Sequence, residues 1–178
     1  MEPKTYQINE KLSIRTIQES DAEDLFQLVE HDRQELTKWM PWAAQTKTAK
    51  DELRFIKYAL KQMNNSRLLP MCILYNNQVI GNLDLHEIDP ENKNAKIGYW
   101  LGSQFQGQGS MTKSVKELIS IGFNELHLHK IILEADSTNQ KSINIALKLN
   151  MKQEATLKQQ LLVDEEYHDL LSFCLFEQ

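Results

Sequence analysis

Gln106-Gly107-Gln108-Gly109-Ser110-Met111 is the segment of this chain best suited to chemistry. It follows an apolar run, Ile97-Gly98-Tyr99-Trp100-Leu101, and precedes Met111, Val115, Leu118, Ile119 and Phe123, which recur on one helical face. Two glycines where a strand hands over to a helix leave a row of backbone N–H groups without intrahelical acceptors. The helix dipole adds positive potential at the same place, so the row suits a phosphate or pyrophosphate carried by a cofactor. A simple tight turn is the alternative. A P-loop is disfavoured because no lysine closes the loop. A dinucleotide fingerprint is disfavoured, since the third glycine is missing and the loop lies past mid-chain.

A second polar constellation follows at Asn139-Gln140-Lys141-Ser142, leading into Ile143, Ala146, Leu147 and Asn150-Met151. Thr138 or Asn139 can cap a helix here, with Ser142 in its first turn. Glu134, at the end of the intervening strand, is a candidate proton acceptor, and so are Asp84, His86 and Glu87 on an earlier strand. Each also reads as a solvated strand residue. Trp39-Met40-Pro41-Trp42 places large apolar groups in a loop, as a core plug or as the wall of a pocket. Cys72 and Cys174 each sit inside an apolar run and read as small buried hydrophobes, with no disulfide framework. No metal site is expected.

These groups need a scaffold, and the patterning supplies one. Leu12–Ile17 alternates as a strand. Ser20 and Glu23 have capping-box spacing ahead of a helix to about Glu35. Leu53, Ile56, Leu60 and Met63 mark a second helix. Met71–Tyr75 and Gln78–Leu85 form a hairpin about Asn76-Asn77. Ala95–Leu101 is a strand, followed by the glycine loop and a helix to about Asn124. Lys130–Ala135 is a strand, Thr138–Leu149 a helix, and Lys152–Thr156 and Leu170–Phe176 are closing strands. The order predicts an α/β (α+β) chain with a mixed, mostly antiparallel sheet of about seven strands and about four flanking helices. Residues 1–178 are expected to form one domain.

A net charge of −5 argues against a general nucleic-acid surface. No apolar run is long enough to span a bilayer, and Met1-Glu2-Pro3-Lys4 does not open a signal peptide, so a cytoplasmic location is expected.

Taken together, strand, Gln-Gly-x-Gly loop, helix, strand and Asn-x-x-Ser-x-x-x-Ala resemble the GNAT acyl-CoA N-acyltransferase superfamily. The resemblance spans nearly the whole chain. It is nearest the branch of ribosomal-protein N-terminal acetyltransferases, through Ile97–Leu101, Gly107–Thr112 and Trp39-Met40-Pro41-Trp42. Met111, where many members carry a small residue, is a feature of that branch. The resemblance implies splayed central strands at Ala95–Leu101 and Ile131–Ala135, with the pantetheine arm of acetyl-CoA (coenzyme A) between them. It implies a diphosphate held by N–H groups from Gln106 through Gly107, Gln108, Gly109, Ser110 and Met111 to Thr112, with Asn139 and Ser142 in the second cofactor segment. A backbone N–H near Tyr99, Trp100 or Leu101 would polarise the thioester carbonyl, and Ser142 would protonate the departing thiolate. Trp39, Met40 and Trp42 would wall the acceptor side, joined by Asp84, His86 and Tyr167. Some relatives place a glutamate base before the last strand, where this chain has the acidic run Asp164–Asp169, and His168 beside Tyr167 would line the acceptor pocket. The implied reaction is direct transfer of acetyl to a primary amine, foremost the N-terminal amine of a ribosomal protein. An acyl-CoA-binding module without turnover and a small-molecule amine acetyltransferase are the alternatives. Pairing of two copies through exposed strands is also open.

Overall fold

The computed structural model describes residues 4–177. Met1–Pro3, where no leader was expected, lie outside the described residues. Among the described residues eight strands form one sheet: β1 (Thr5–Gln7), β2 (Leu12–Thr16), β3 (Leu69–Tyr75), β4 (Gln78–Asp89), β5 (Asn94–Leu101), β6 (Lys130–Asp136), β7 (Lys152–Val163) and β8 (Glu166–Phe176). Their order is β1-β2-β3-β4-β5-β6-β8-β7. Every neighbouring pair is antiparallel except β5 and β6. A parallel pair needs a crossover, and here α3 (Ser110–Asn124) provides it.

Strand alternation decides what each face of the sheet carries. In β3, Met71 and Ile73 join a core with Val115 and Leu118 of α3, whereas Cys72 and Leu74 join a core with Leu25, Leu28 and Val29. Those last three belong to α1 (Ala22–Trp39), which packs with α2 (Ala49–Asn64) on the opposite face from α3. Burial on both sides explains the uninterrupted apolar run of β3. The fourth helix, α4 (Gln140–Lys148), shares the α3 side and covers Leu133, Ala135 and Phe173.

The sheet exceeds the expected seven strands by β1, whose three residues are too few to show a period. The closing strands are also longer than their apolar stretches. They form one long hairpin about Asp164 and Glu165, both with positive φ (47° and 66°), so only two residues of the acidic run 164–169 form the turn. The start of α1 differs too. Ser20 is exposed and caps nothing; Asp21 accepts from the Gln18 N–H at 2.7 Å and pairs with both terminal nitrogens of Arg15. The helix then runs to Trp39, a turn past Glu35, and stops where Pro41 forces Met40 out of helical geometry. Both cysteines are buried and free, as expected. No helix among the described residues is long and apolar enough to cross a membrane.

Candidate active site

The parallel pair β5–β6 holds register only from Asn94↔Lys130 to Ile97↔Leu133. Beyond that point β5 continues against β4 alone and β6 continues against β8 alone. Gly98–Leu101 and Glu134–Asp136 therefore face one another across an opening at the sheet centre, matching the expected splay.

At the end of β5 the chain makes a short helical turn, Ser103–Phe105, and enters the glycine segment. Gly107 and Gly109 have φ of +79° and +75°, a region costly to residues with a Cβ, and a Cβ at either would meet no atom within 4 Å. The glycines answer a backbone demand and border open space. Gly109 caps α3 without any side-chain cap. Among the described residues, the N–H groups of Gly107 through Thr112 have no protein acceptor. Gln106 is the exception to the expected row, because its N–H is spent on Ser103 O at 3.1 Å. Its side chain bridges instead: Nε2 donates to Leu101 O at 3.0 Å, and Oε1 accepts from Lys141 Nζ at 2.9 Å. The free amides, the glycine space and the Lys141 charge fit a diphosphate.

The α3/α4 side of the opening carries Tyr99 and Ser142. Asn139 caps α4, its Oδ1 accepting from Ser142 N at 3.2 Å, while Thr138 binds Asp136. The Tyr99 hydroxyl and Ser142 Oγ share a hydrogen bond of 2.6 Å. Burial pushes the Tyr99 phenol up to about 12, so it keeps its proton at neutral pH.

The other face carries Asp84, His86, Lys96, Gly98, Trp100 and Glu134. His86 Nδ1 lies 2.7 Å from Asp84 Oδ1. Burial lowers the His86 pKa, but the Asp84 hydrogen bond and charge outweigh it and the net shift is upward. Both side chains pass close over Gly98, where a Cβ would come within 3.1 Å of the Asp84 oxygens and 3.3 Å of the His86 ring. Glu134 is engaged with Lys96 at 3.2 Å, and Lys96 also reaches Glu87 at 3.0 Å. Trp42 packs on Trp100 with ring centroids 6.0 Å apart. Trp39 is half-exposed at the end of α1 rather than in the loop, and Met40 packs against the α1/α2 core. The tip of the β7–β8 hairpin meets this end of α1 across a cavity of about 360 Å³, lined by Gln34, Thr37, Pro41, Leu162, Val163 and Asp164. Tyr167 is 64% exposed and alternates to the opposite face of β8 from His168, so it does not join the group.

Two contributors escape sequence reasoning. Lys141 gives no signal beyond its neighbours. Asp32, buried in α1, accepts from Ser103 N at 2.6 Å and Ser103 Oγ at 2.5 Å, tying α1 to the approach of the glycine segment from 71 residues away.

Comparisons with known proteins give the family and the fold. Residues 11–152 match the family model described as an acetyltransferase (GNAT) domain. The Bacillus subtilis protein YdaF, named as a candidate ribosomal N-acetyltransferase, is 30% identical over 98% of this chain and 96% of its own length. The ribosomal-protein-serine acetyltransferase of Escherichia coli is 24% identical over 94% of this chain and 93% of its own. Among solved structures, the ribosomal alpha-N-protein acetyltransferase RimL in complex with coenzyme A superposes with a TM-score of 0.94 at 24% identity, covering 97% of this chain and 98% of that one. That likeness shows the fold; the family model and the first relative show the membership. This chain belongs to the GNAT acetyltransferase family, whose enzymes use acetyl-CoA.

Proposed function

We propose that this acetyltransferase, acting as one domain over residues 1–178, moves acetyl from acetyl-CoA to the N-terminal α-amine of a protein, a ribosomal protein foremost. The observation that carries the reading is the opening between β5 and β6, which has free backbone amides at its rim and a different chemistry on each face. Acetyl-CoA supplies an acyl group activated as a thioester. The amides of Gly107–Thr112 hold the diphosphate, with Asn139 and Lys141 on the α4 side. The unpaired edge of Tyr99, Trp100 and Leu101 receives the pantetheine amides and offers an N–H to the thioester carbonyl. Ser142 gives its proton to the departing thiolate, supported by Tyr99.

The acceptor approaches from the α1/α2 face. Trp39, Met40 and Trp42 form its wall, and Asp84 with His86 attracts the ammonium group. Glu134, held by Lys96, shapes the charge of the face and has little freedom to take a proton directly. Tyr167 belongs to the rim of the hairpin. An α-amine has a pKa of about 8 against about 10.4 for a lysine side chain, so it loses its proton with less assistance. The names of the relatives favour a ribosomal acceptor, and the reading places the enzyme in the cytoplasm.

A thiol-release assay with acetyl-CoA and an acceptor panel tests the reading. Peptides with a free N-terminus are expected to turn over, and N-blocked peptides with internal lysines are not. Transfer confined to lysine side chains or small amines overturns the acceptor assignment. Tight acetyl-CoA binding with no turnover across the panel makes the chain a binding module.

A further inference from the structure

Beside the opening stands a pair for which the reaction described above has no role. His168 Nδ1 lies 2.7 Å from Asp136 Oδ2. A carboxylate only accepts, so Nδ1 carries the ring proton and Nε2 of the neutral ring is left as an acceptor. Among the described residues Nε2 makes no hydrogen bond. Asp136 is 7% exposed and fixed from its other oxygen, where Oδ1 accepts from Thr138 N and Thr138 Oγ1, both at 2.7 Å. The imidazole is thus oriented by a carboxylate that cannot swing away.

Placement matters as much as orientation. Ser172 pairs with Glu134 across β6–β8, and His168 shares the Ser172 face of β8 by alternation, which is the acceptor face. Asp136 ends β6 beyond the last β5–β6 pair, and its carbonyl accepts from the Asn139 N–H at 2.9 Å, one cap away from Ser142. A second imidazole–carboxylate pair, His86–Asp84, stands where the opening begins, with His86 opposite Lys96 while β5 and β6 are still joined and Asp84 opposite Gly98 just past the last pair. Leu161 opposes His168 from β7, and the nearby Lys158–Asp169 pair is closed on itself at 2.8 Å.

We propose that His168 is a catalytic residue that takes the proton from the attacking amine, with Asp136 as its positioning residue. This rests on the acetyl-transfer reading. The amine nitrogen forms a bond to the thioester carbon and the carbon–sulfur bond breaks. One N–H proton passes to His168 Nε2 and on to water, while the thiolate takes its proton from Ser142 on the opposite face. The proton is collected on the acceptor side and delivered on the cofactor side.

Nitrogen-15 NMR of histidine-labelled, ligand-free protein tests the tautomer without turnover: His168 is expected protonated at Nδ1 and bare at Nε2, and the reverse overturns the dyad. In His168→Gln, kcat is expected to fall about a hundredfold or more, with acetyl-CoA affinity by calorimetry unchanged within twofold. In His168→Ala, added imidazole is expected to restore turnover at least tenfold. A kcat within threefold of wild type, or a loss that imidazole does not rescue, overturns the proposal while wild-type turnover leaves the acetyl-transfer reading intact. A wild type that acetylates no amine overturns both.

Discussion

The hydroxyls of Tyr99 and Ser142 meet at 2.6 Å, joining β5 to α4 beside the opening between β5 and β6. Neither is placed by its own element alone: Tyr99 is a strand residue on the α4 side, and Ser142 is set by the Asn139 cap. Tyr99 stays protonated far above neutrality, so the pair can pass a proton to a thiolate and recover it from solvent. Ser142→Ala is expected to lower kcat by on the order of a hundredfold, and Tyr99→Phe by about tenfold, with small changes in acetyl-CoA KM. The double variant should fall short of the product of the two, because the groups act as one unit. Steady-state kinetics of the three proteins decides it; fully multiplicative effects would separate the residues.

Gly109 gives a test in which stability and affinity part. Alanine at its φ of +75° should cost about 1–2 kcal/mol of stability and weaken acetyl-CoA modestly. Glutamate pays the same backbone cost, since no atom lies within 4 Å to clash. It also sets a carboxylate beside the amides proposed to hold a diphosphate, and affinity should fall on the order of a hundredfold. Melting curves and calorimetry on both variants check this. Equal acetyl-CoA affinities in the two would remove the diphosphate from this segment.

Legibility in the sequence followed interaction range. The glycine segment and α3 were readable because backbone φ and helical period are local demands. Asn139 and Ser142 were readable for the same reason, being three residues apart on one cap. The splay itself was not in the residues as such, since nothing in Ile97 or Leu133 announces that pairing stops there; family resemblance supplied it. Ser20 as a cap failed because Arg15, from a neighbouring strand, claims Asp21 and shifts the helix start. Tyr167 could not be separated from His168 by sequence, since only the strand register shows that neighbours go to opposite faces and that His168 is the one beside Asp136. The Asp32–Ser103 link was invisible because its partners are far apart in sequence and neither sits in a motif.

Glu52 predicts a pH dependence of stability unrelated to catalysis. It is 5% exposed in α2, has no hydrogen-bond partner among the described residues, and burial pushes its pKa from 4.5 up to about 7. The folded state therefore holds this proton more tightly than the unfolded chain. Between pH 4.5 and 7 the folded protein binds the extra proton, so stability falls as pH rises through that window and stays reduced above it. At about 1.4 kcal/mol per pKa unit, the loss is on the order of 3 kcal/mol. Glu52→Gln should match wild type near pH 4.5 and exceed it by roughly that amount at pH 8. Urea unfolding at both pH values measures it, and an equal difference at both would assign the effect to packing.

Asp32 supports the site from the far side of the sheet. Its two oxygens hold Ser103 N and Ser103 Oγ, and Ser103 O in turn holds the N–H of Gln106, immediately before Gly107. The chain of bonds fixes where the glycine segment begins. Asp32→Ala removes two charge-assisted hydrogen bonds and should cost about 1–3 kcal/mol. Freed of that anchor, the amides of Gly107–Thr112 would adopt their binding arrangement only part of the time, so the acetyl-CoA KM should rise several-fold with saturated kcat nearly unchanged. Ser103→Ala loses only the hydroxyl bond and should show a smaller rise in the same direction, whereas Asp32→Asn keeps one acceptor oxygen and should fall between the two. A collapse of kcat at saturating acetyl-CoA, with KM unmoved, would mean that Asp32 acts on the chemical step and not on the shape of the cofactor rim.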